Sequence, residues 1–212
     1  MTLHLLLRLT ASGMWVLIFI SVLVKNNRSA RIVYRLDAVA QAVLIAVLAE
    51  AVHHSGLWIS AALVLVVKAI VVPWVMRPGS YVVERDYSAH GPFGMAFVMI
   101  MAVAVTVLGF NIGVRFHGNL PIVQGILWGT WLVSLSHMIL RYEVWSEAWG
   151  LLNFEVITSS LAILLVATFP LVSDILADGI AVGMALLLTS YMALMRVQYD
   201  SVDVRRAGEL KG

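Results

Sequence analysis

Five ionisable side chains lie within long apolar stretches: Lys68, His137, Glu155, Asp174 and Asp178. At the centre of a bilayer such a group costs at least about 2.5–3.5 kcal/mol on insertion scales, so each needs a reason to be there. Lys68 sits in ALVLVVKAIVVPW, eleven residues from the outer end of its apolar run. At 1.5 Å per residue that is roughly 17 Å deep, near the midplane of a hydrocarbon core of about 30 Å. Its stem is too short to snorkel from there, so the ammonium should face the protein interior and pair with an acid, or be neutral. Pro73 follows within two turns and is expected to kink the helix and release nearby carbonyls. The alternative to a functional charge is a buried ion pair that fixes helix register.

Glu155 lies in GLLNFEVITSSLAILL, with Thr158 and Ser159 three and four residues on and on its own helix face. Those hydroxyls can hydrogen-bond the carboxylate or order water beside it. Asp174 and Asp178 are spaced i,i+4 and stack on one face. Two carboxylates that close cannot both ionise cheaply, so the pair can share a proton. Asp178 falls about 10 Å from the outer end of its helix. Asp174 follows Pro170 by four residues and equally suits a first helical turn, where an acid complements the dipole. His137 is read at a depth similar to Glu155; its imidazole could relay protons near neutral pH, or form an interhelical hydrogen bond with Ser134 or Ser136 nearby in sequence. Glu50, His53 and His54 crowd the outer end of the second run and read as an interfacial cluster; adjacent histidines diverge by about 100° on a helix, which disfavours a shared metal.

The elements that must position these residues follow from composition. The chain has 212 residues, 61% hydrophobic and 12% charged, with mean hydropathy +0.94. A soluble domain is about 25% charged, so a water-soluble enzyme and a disordered chain both fit badly. A net charge of +2 does not imply nucleic acid. With no cysteine, disulfides, thiolate metal sites, iron–sulfur clusters and a Cys nucleophile are excluded. No Walker loop, G-x-G-x-x-G, H-E-x-x-H or nucleophile elbow occurs, so no cofactor and no catalytic centre are expected in the chain itself.

Seven apolar runs are long enough to span a membrane as helices: 3–24, 36–51, 57–76, 92–114, 122–140, 149–169 and 171–197. They are continuously apolar and not alternating, which favours an all-α polytopic protein over a barrel. The first run lacks an early positive charge and an A-x-A site, so it does not read as a cleaved signal. Lys25, Arg28, Arg31, Arg35, Arg77, Arg85, Arg141, Arg196, Arg205, Arg206 and Lys211 fall on one side of a seven-helix topology. Arg8 and Arg115 fall on the other, and Lys68 inside. The positive-inside rule then places the N-terminus outside and the C-terminus in the cytoplasm. Residues 1–76 hold three spans, 77–91 a polar cytoplasmic loop, 92–197 four spans and 198–212 a cytoplasmic tail. Trp58, Trp74, Trp145 and Trp149 fit an aromatic belt at span ends. The ten Met residues read as packing.

KAIVVPWVM, after a basic loop and a short second span, resembles the third helix of the hydrogenase-4 component E family. GLLNFEVITSSLAILL followed by PLVSDILADGIAVGMALLL resembles that family's last two helices, which are similar in turn to the K chain of NADH–quinone oxidoreductase and the C chain of Mrp-type antiporters. The resemblance implies a seven-span subunit of the prokaryotic cytoplasmic membrane. Its partners would be other membrane subunits, an antiporter-like one among them, and redox cofactors would reside in those partners. It also implies a proton path through Glu155 and a second acid, Asp174 or Asp178 according to how the last helix is aligned. Lys68, Asp178 somewhat outward and Glu155 somewhat inward would form a staggered relay bridged by water. A structural adaptor and a stand-alone seven-helix transporter remain as other readings; a rhodopsin is disfavoured because 171–197 contains no lysine.

Overall fold

The computed structural model describes residues 2–24, 26–77, 95–115, 120–140, 144–166 and 171–199. Among them no strand occurs, and seven helical rods are long and apolar enough to cross a membrane. In chain order they are α1 (Thr2–Leu23), α2 (Asn27–Val52), a third rod made of α3 (Ser55–Val66), a π turn (Val67–Val71) and α4 (Val72–Val75), then α5 (Met95–Arg115), α6 (Pro121–Leu140), α7 (Val144–Leu165) and α8 (Leu171–Tyr199). The expected fold class holds. The polar stretch 78–94 and the tail beyond 199 lie outside the described residues.

The second span differs most from its expected bounds. It begins at Asn27, nine residues before the apolar run at Leu36. Asn26 caps it, its side-chain oxygen accepting the Ser29 amide at 2.7 Å. The added turns are amphipathic: Arg28 and Arg35 point outward, while Asn27, Ala30, Val33, Tyr34 and Asp37 are buried. A search for continuous apolarity cannot see such a start. At the other end His53 adopts a left-handed conformation, φ 55°, and its amide bonds the Ala49 carbonyl, so the chain turns at once into α3. Glu50, His53 and His54 are exposed there, as an interfacial cluster requires.

Helices α2 and α7 form the centre of the bundle and are the most buried of its seven spans. They pack on one another, α1 covers α2 and α6, and α8 lies across α3, the π turn, α4 and α7. Side chains such as Met14, Ile18, Ile45, Leu57, Leu127, Leu152 and Ile157 fill the interior. The α5–α6 contact has its own device. Gly109 and Gly113 on α5 face Gly125 and Gly129 on α6, two small-xxx-small pairs that let the backbones touch. A Cβ on Gly109 would lie 2.6 Å from the Gly129 Cα. The outer face of α5 presents Ile100, Val103 and Val107, and that of α8 presents Leu176, Ile180 and Leu187, as a lipid-facing surface does.

Two of the four expected belt tryptophans face the bundle interior. Trp58 and Trp74 are exposed, but Trp145 and Trp149 are buried. Helix α7 begins at Val144 and not at residue 149, so both residues lie within it, and Trp149 packs against Tyr34 with ring centroids 5.3 Å apart.

Candidate functional site

Lys68 is fully buried, as its depth demanded. The third rod departs from α geometry there. Pro73 has no N–H to return to the preceding turn, and the Val72 amide reaches back five residues to the Val67 carbonyl. The expected kink is thus a π turn over Val67–Val71, and Lys68 stands on it.

An ammonium has three donors. Lys68 Nζ donates to Glu155 Oε1 at 2.9 Å and to Ser159 Oγ at 3.0 Å, and it lies 3.6 Å from Asp178 Oδ1. Spans three, six and seven therefore meet at one nitrogen. This corrects the staggered relay: Glu155 and Asp178 touch the same ammonium with no gap for bridging water. The reason is geometric. Because α7 starts five residues early, Glu155 lies eleven residues into it, about 16 Å at 1.5 Å per residue, and not near its end. The 29-residue α8 absorbs the remaining offset by running on well past Asp178.

The other expected residues fall elsewhere. Thr158 turns away from Glu155; its hydroxyl donates to the Phe154 carbonyl and accepts Trp131 Nε1. His137 is one turn from the end of α6 and hydrogen-bonds Ser146, at 3.2 Å. Ser146 precedes Glu155 by nine residues, about 13 Å along α7, so His137 is not brought to the cluster. Its partner is neither Ser134, which donates to the Gly150 carbonyl, nor Ser136, which donates to Val133. Asp174 stands in the first turn of α8, and its side chain lies outside the described residues.

The structure adds three residues, all on α2. Asp37 is fully buried, and neither carboxylate oxygen has a hydrogen-bond partner among the described residues. It lies in the electrostatic reach of Lys68. Gln41, one turn on, donates to the Val156 carbonyl at 3.0 Å and to Ser159 Oγ, the oxygen that also receives Lys68. Tyr34, one turn before Asp37, is fully buried with its hydroxyl unpartnered among the described residues, and is within the field of Glu155, Asp37 and Asp178. Asp37 and Gln41 were legible as an i,i+4 polar pair in RLDAVAQAVL; the apolar-run boundary at Leu36 put Asp37 at a helix end, where an acid draws no notice.

Charge counting sets the chemistry. Among the described residues Lys68 meets two carboxylates, the partly buried Glu155 and the buried Asp178, and the fully buried Asp37 lies within its electrostatic reach. In a medium that solvates charge poorly, a carboxylate is stable only beside a cation or with a proton bound, so the protonation of each acid depends on where the Lys68 ammonium stands. Glu155 keeps 14% of its side chain exposed at the bundle surface, whereas Lys68 keeps 1%.

Fold and site together define a polytopic membrane protein built around an interhelical charge cluster. No protein-family model matches the chain, nor does any curated protein or solved structure.

Proposed function

We propose that this chain is a non-catalytic integral subunit of an energy-converting redox complex of the hydrogenase-4 or complex I type, and that its buried cluster carries part of a proton or Na⁺ path. The observation that carries the reading is the meeting of Lys68, Glu155 and Asp178, from three apolar spans, inside the bundle. Charge movement at one member acts strongly on the next. At an effective dielectric of about 20, unit charges attract by about 6 kcal/mol at the Lys68–Glu155 distance and about 5 kcal/mol at the Lys68–Asp178 distance. A proton arriving on Glu155 therefore releases Lys68 toward Asp178, and a proton leaving draws it back.

The test is Glu155→Gln in the assembled complex. Coupled ion translocation is expected to be lost while electron transfer to an artificial acceptor persists. Normal pumping in that variant would leave only an adaptor role, docking an antiporter-like subunit.

A second reading is a stand-alone ion transporter, in which Lys68, Glu155 and Asp178 of this chain form the site by themselves. Gentle solubilisation separates the two. A subunit co-purifies with partner chains, and a transporter does not.

A further inference from the structure

The polar residues of α2 continue beyond the cluster in one direction only. Asn27, Tyr34, Asp37 and Gln41 recur along the buried face of α2, which packs on α7. From Asn27, where the helix begins, Tyr34 is about 10 Å along, Asp37 about 15 Å and Gln41 about 21 Å. Residues on α7 meet this face at both of its ends. Trp149 Nε1 donates to Asn27 Oδ1 at 2.6 Å, and Gln41 bonds the Val156 carbonyl. Between these contacts Asn153, buried on α7, donates to Ser21 of α1 at 3.0 Å.

This seam has more acceptors than donors. Asn153 Oδ1, Tyr34 Oη, both oxygens of Asp37, Gln41 Oε1 and Glu155 Oε2 are buried without a hydrogen-bond partner among the described residues. Each such group in hydrocarbon costs several kcal/mol, and water is what ordinarily satisfies it. On the far side of Gln41 the character changes. Leu44, Ile45, Leu48 and Ala49 continue the buried face of α2, and Leu57, Ala61 and Val64 line α3. The buried Ser60 there is bonded within its own helix, to Gly56.

We propose that the α2–α7 seam is a one-sided aqueous half-path, joining the membrane face at Asn27 to the Lys68 cluster, with Asp37 as its terminal carboxyl group. The apolar plug beyond Gln41 closes the opposite side in this conformation. The inference deepens the proton-path reading and rests on it for the identity of the moving ion. The basic residues Arg28 and Arg31 lie in the first turns of α2 at the mouth, which the positive-inside rule assigns to the cytoplasm.

The chain has no cysteine, so single-cysteine variants report water directly. Silver ion, small enough for a narrow path, is added to one face of membrane vesicles carrying the full chain, in both orientations. Residual thiol is then read by maleimide labelling after denaturation. Asn153→Cys is compared with Leu152→Cys, and the near-isosteric Ser159→Cys with Ser160→Cys; within each pair the depth is the same and only the facing differs. Because silver needs a hydrated, ionisable thiol, the seam variants are expected to be blocked at least about tenfold faster than their neighbours. That difference should appear only with silver on the Asn27 face. Equal rates within both pairs, or faster block from the opposite face, would overturn the proposal. The readout needs no pumping. Normal pumping by Glu155→Gln removes the ion-path reading and leaves a positive silver result standing; the reverse outcome removes only the half-path.

Discussion

Lys68→Met is the perturbation whose size the structure sets most directly. Methionine keeps the apolar stem and a similar length, so packing changes little. What disappears is the cation 2.9 Å from Glu155 and 3.6 Å from Asp178, with Asp37 also in its reach. The gross attraction of about 6 and about 5 kcal/mol is not the loss to be observed, because the parent also bears the desolvation of all these groups. Removing one partner of a buried pair leaves the other charge uncompensated, which costs about 3–5 kcal/mol. The variant should therefore be among the most destabilised point changes in this chain. Glu155→Gln should cost less, about 1–3 kcal/mol, because the amide oxygen still accepts from Lys68 and Asp178 still offers a counter-charge. Combining the two removes both ends of one pair. The double variant is expected to be at least about 2 kcal/mol more stable than the sum of the single losses requires. The assay is equilibrium unfolding of the purified chain in mixed micelles with added dodecyl sulfate, followed by the fluorescence of its seven tryptophans. Strict additivity, or a Lys68→Met protein as stable as its parent, would refute the ion-pair reasoning.

Two further outcomes are expected in the same assay. Gly109→Ala forces a methyl against the Gly129 backbone at 2.6 Å and should cost about 1–3 kcal/mol; Gly183→Ala, with nothing within 4 Å, should be neutral or stabilising by up to about 1 kcal/mol. Equal effects at the two glycines would contradict the close α5–α6 approach. Trp149→Phe keeps the ring contact with Tyr34 but leaves buried Asn27 Oδ1 without its donor, and a loss of about 1–3 kcal/mol is expected, against little change for the exposed Trp74→Phe.

Seven spans and the short set of costly charges were legible in the sequence because both depend on local composition. A run of about 20 apolar residues is a statement about transfer free energy, and an isolated Lys68 within one is conspicuous whatever surrounds it. Pro73 likewise announced a break in its helix, since a missing N–H is a property of the residue itself. Where local composition is mixed, the same reading fell short. The amphipathic first turns of α2 hid the depth of Asp37, and the early start of α7 put Trp149 at a helix end and placed His137 level with Glu155.

By itself, then, the sequence determined that the chain is a helical membrane bundle and that Lys68 must face its interior, paired with an acid or neutral. Which acids answer, and that Glu155 and Asp178 share one ammonium instead of standing in a relay, was decided only by the tertiary structure. The physical reason is that depth along a helix follows from counting residues, whereas azimuth and axial offset depend on how neighbouring helices pack. A π turn at Lys68 and the offset of a 29-residue α8 change both, and no periodicity within a single span records them.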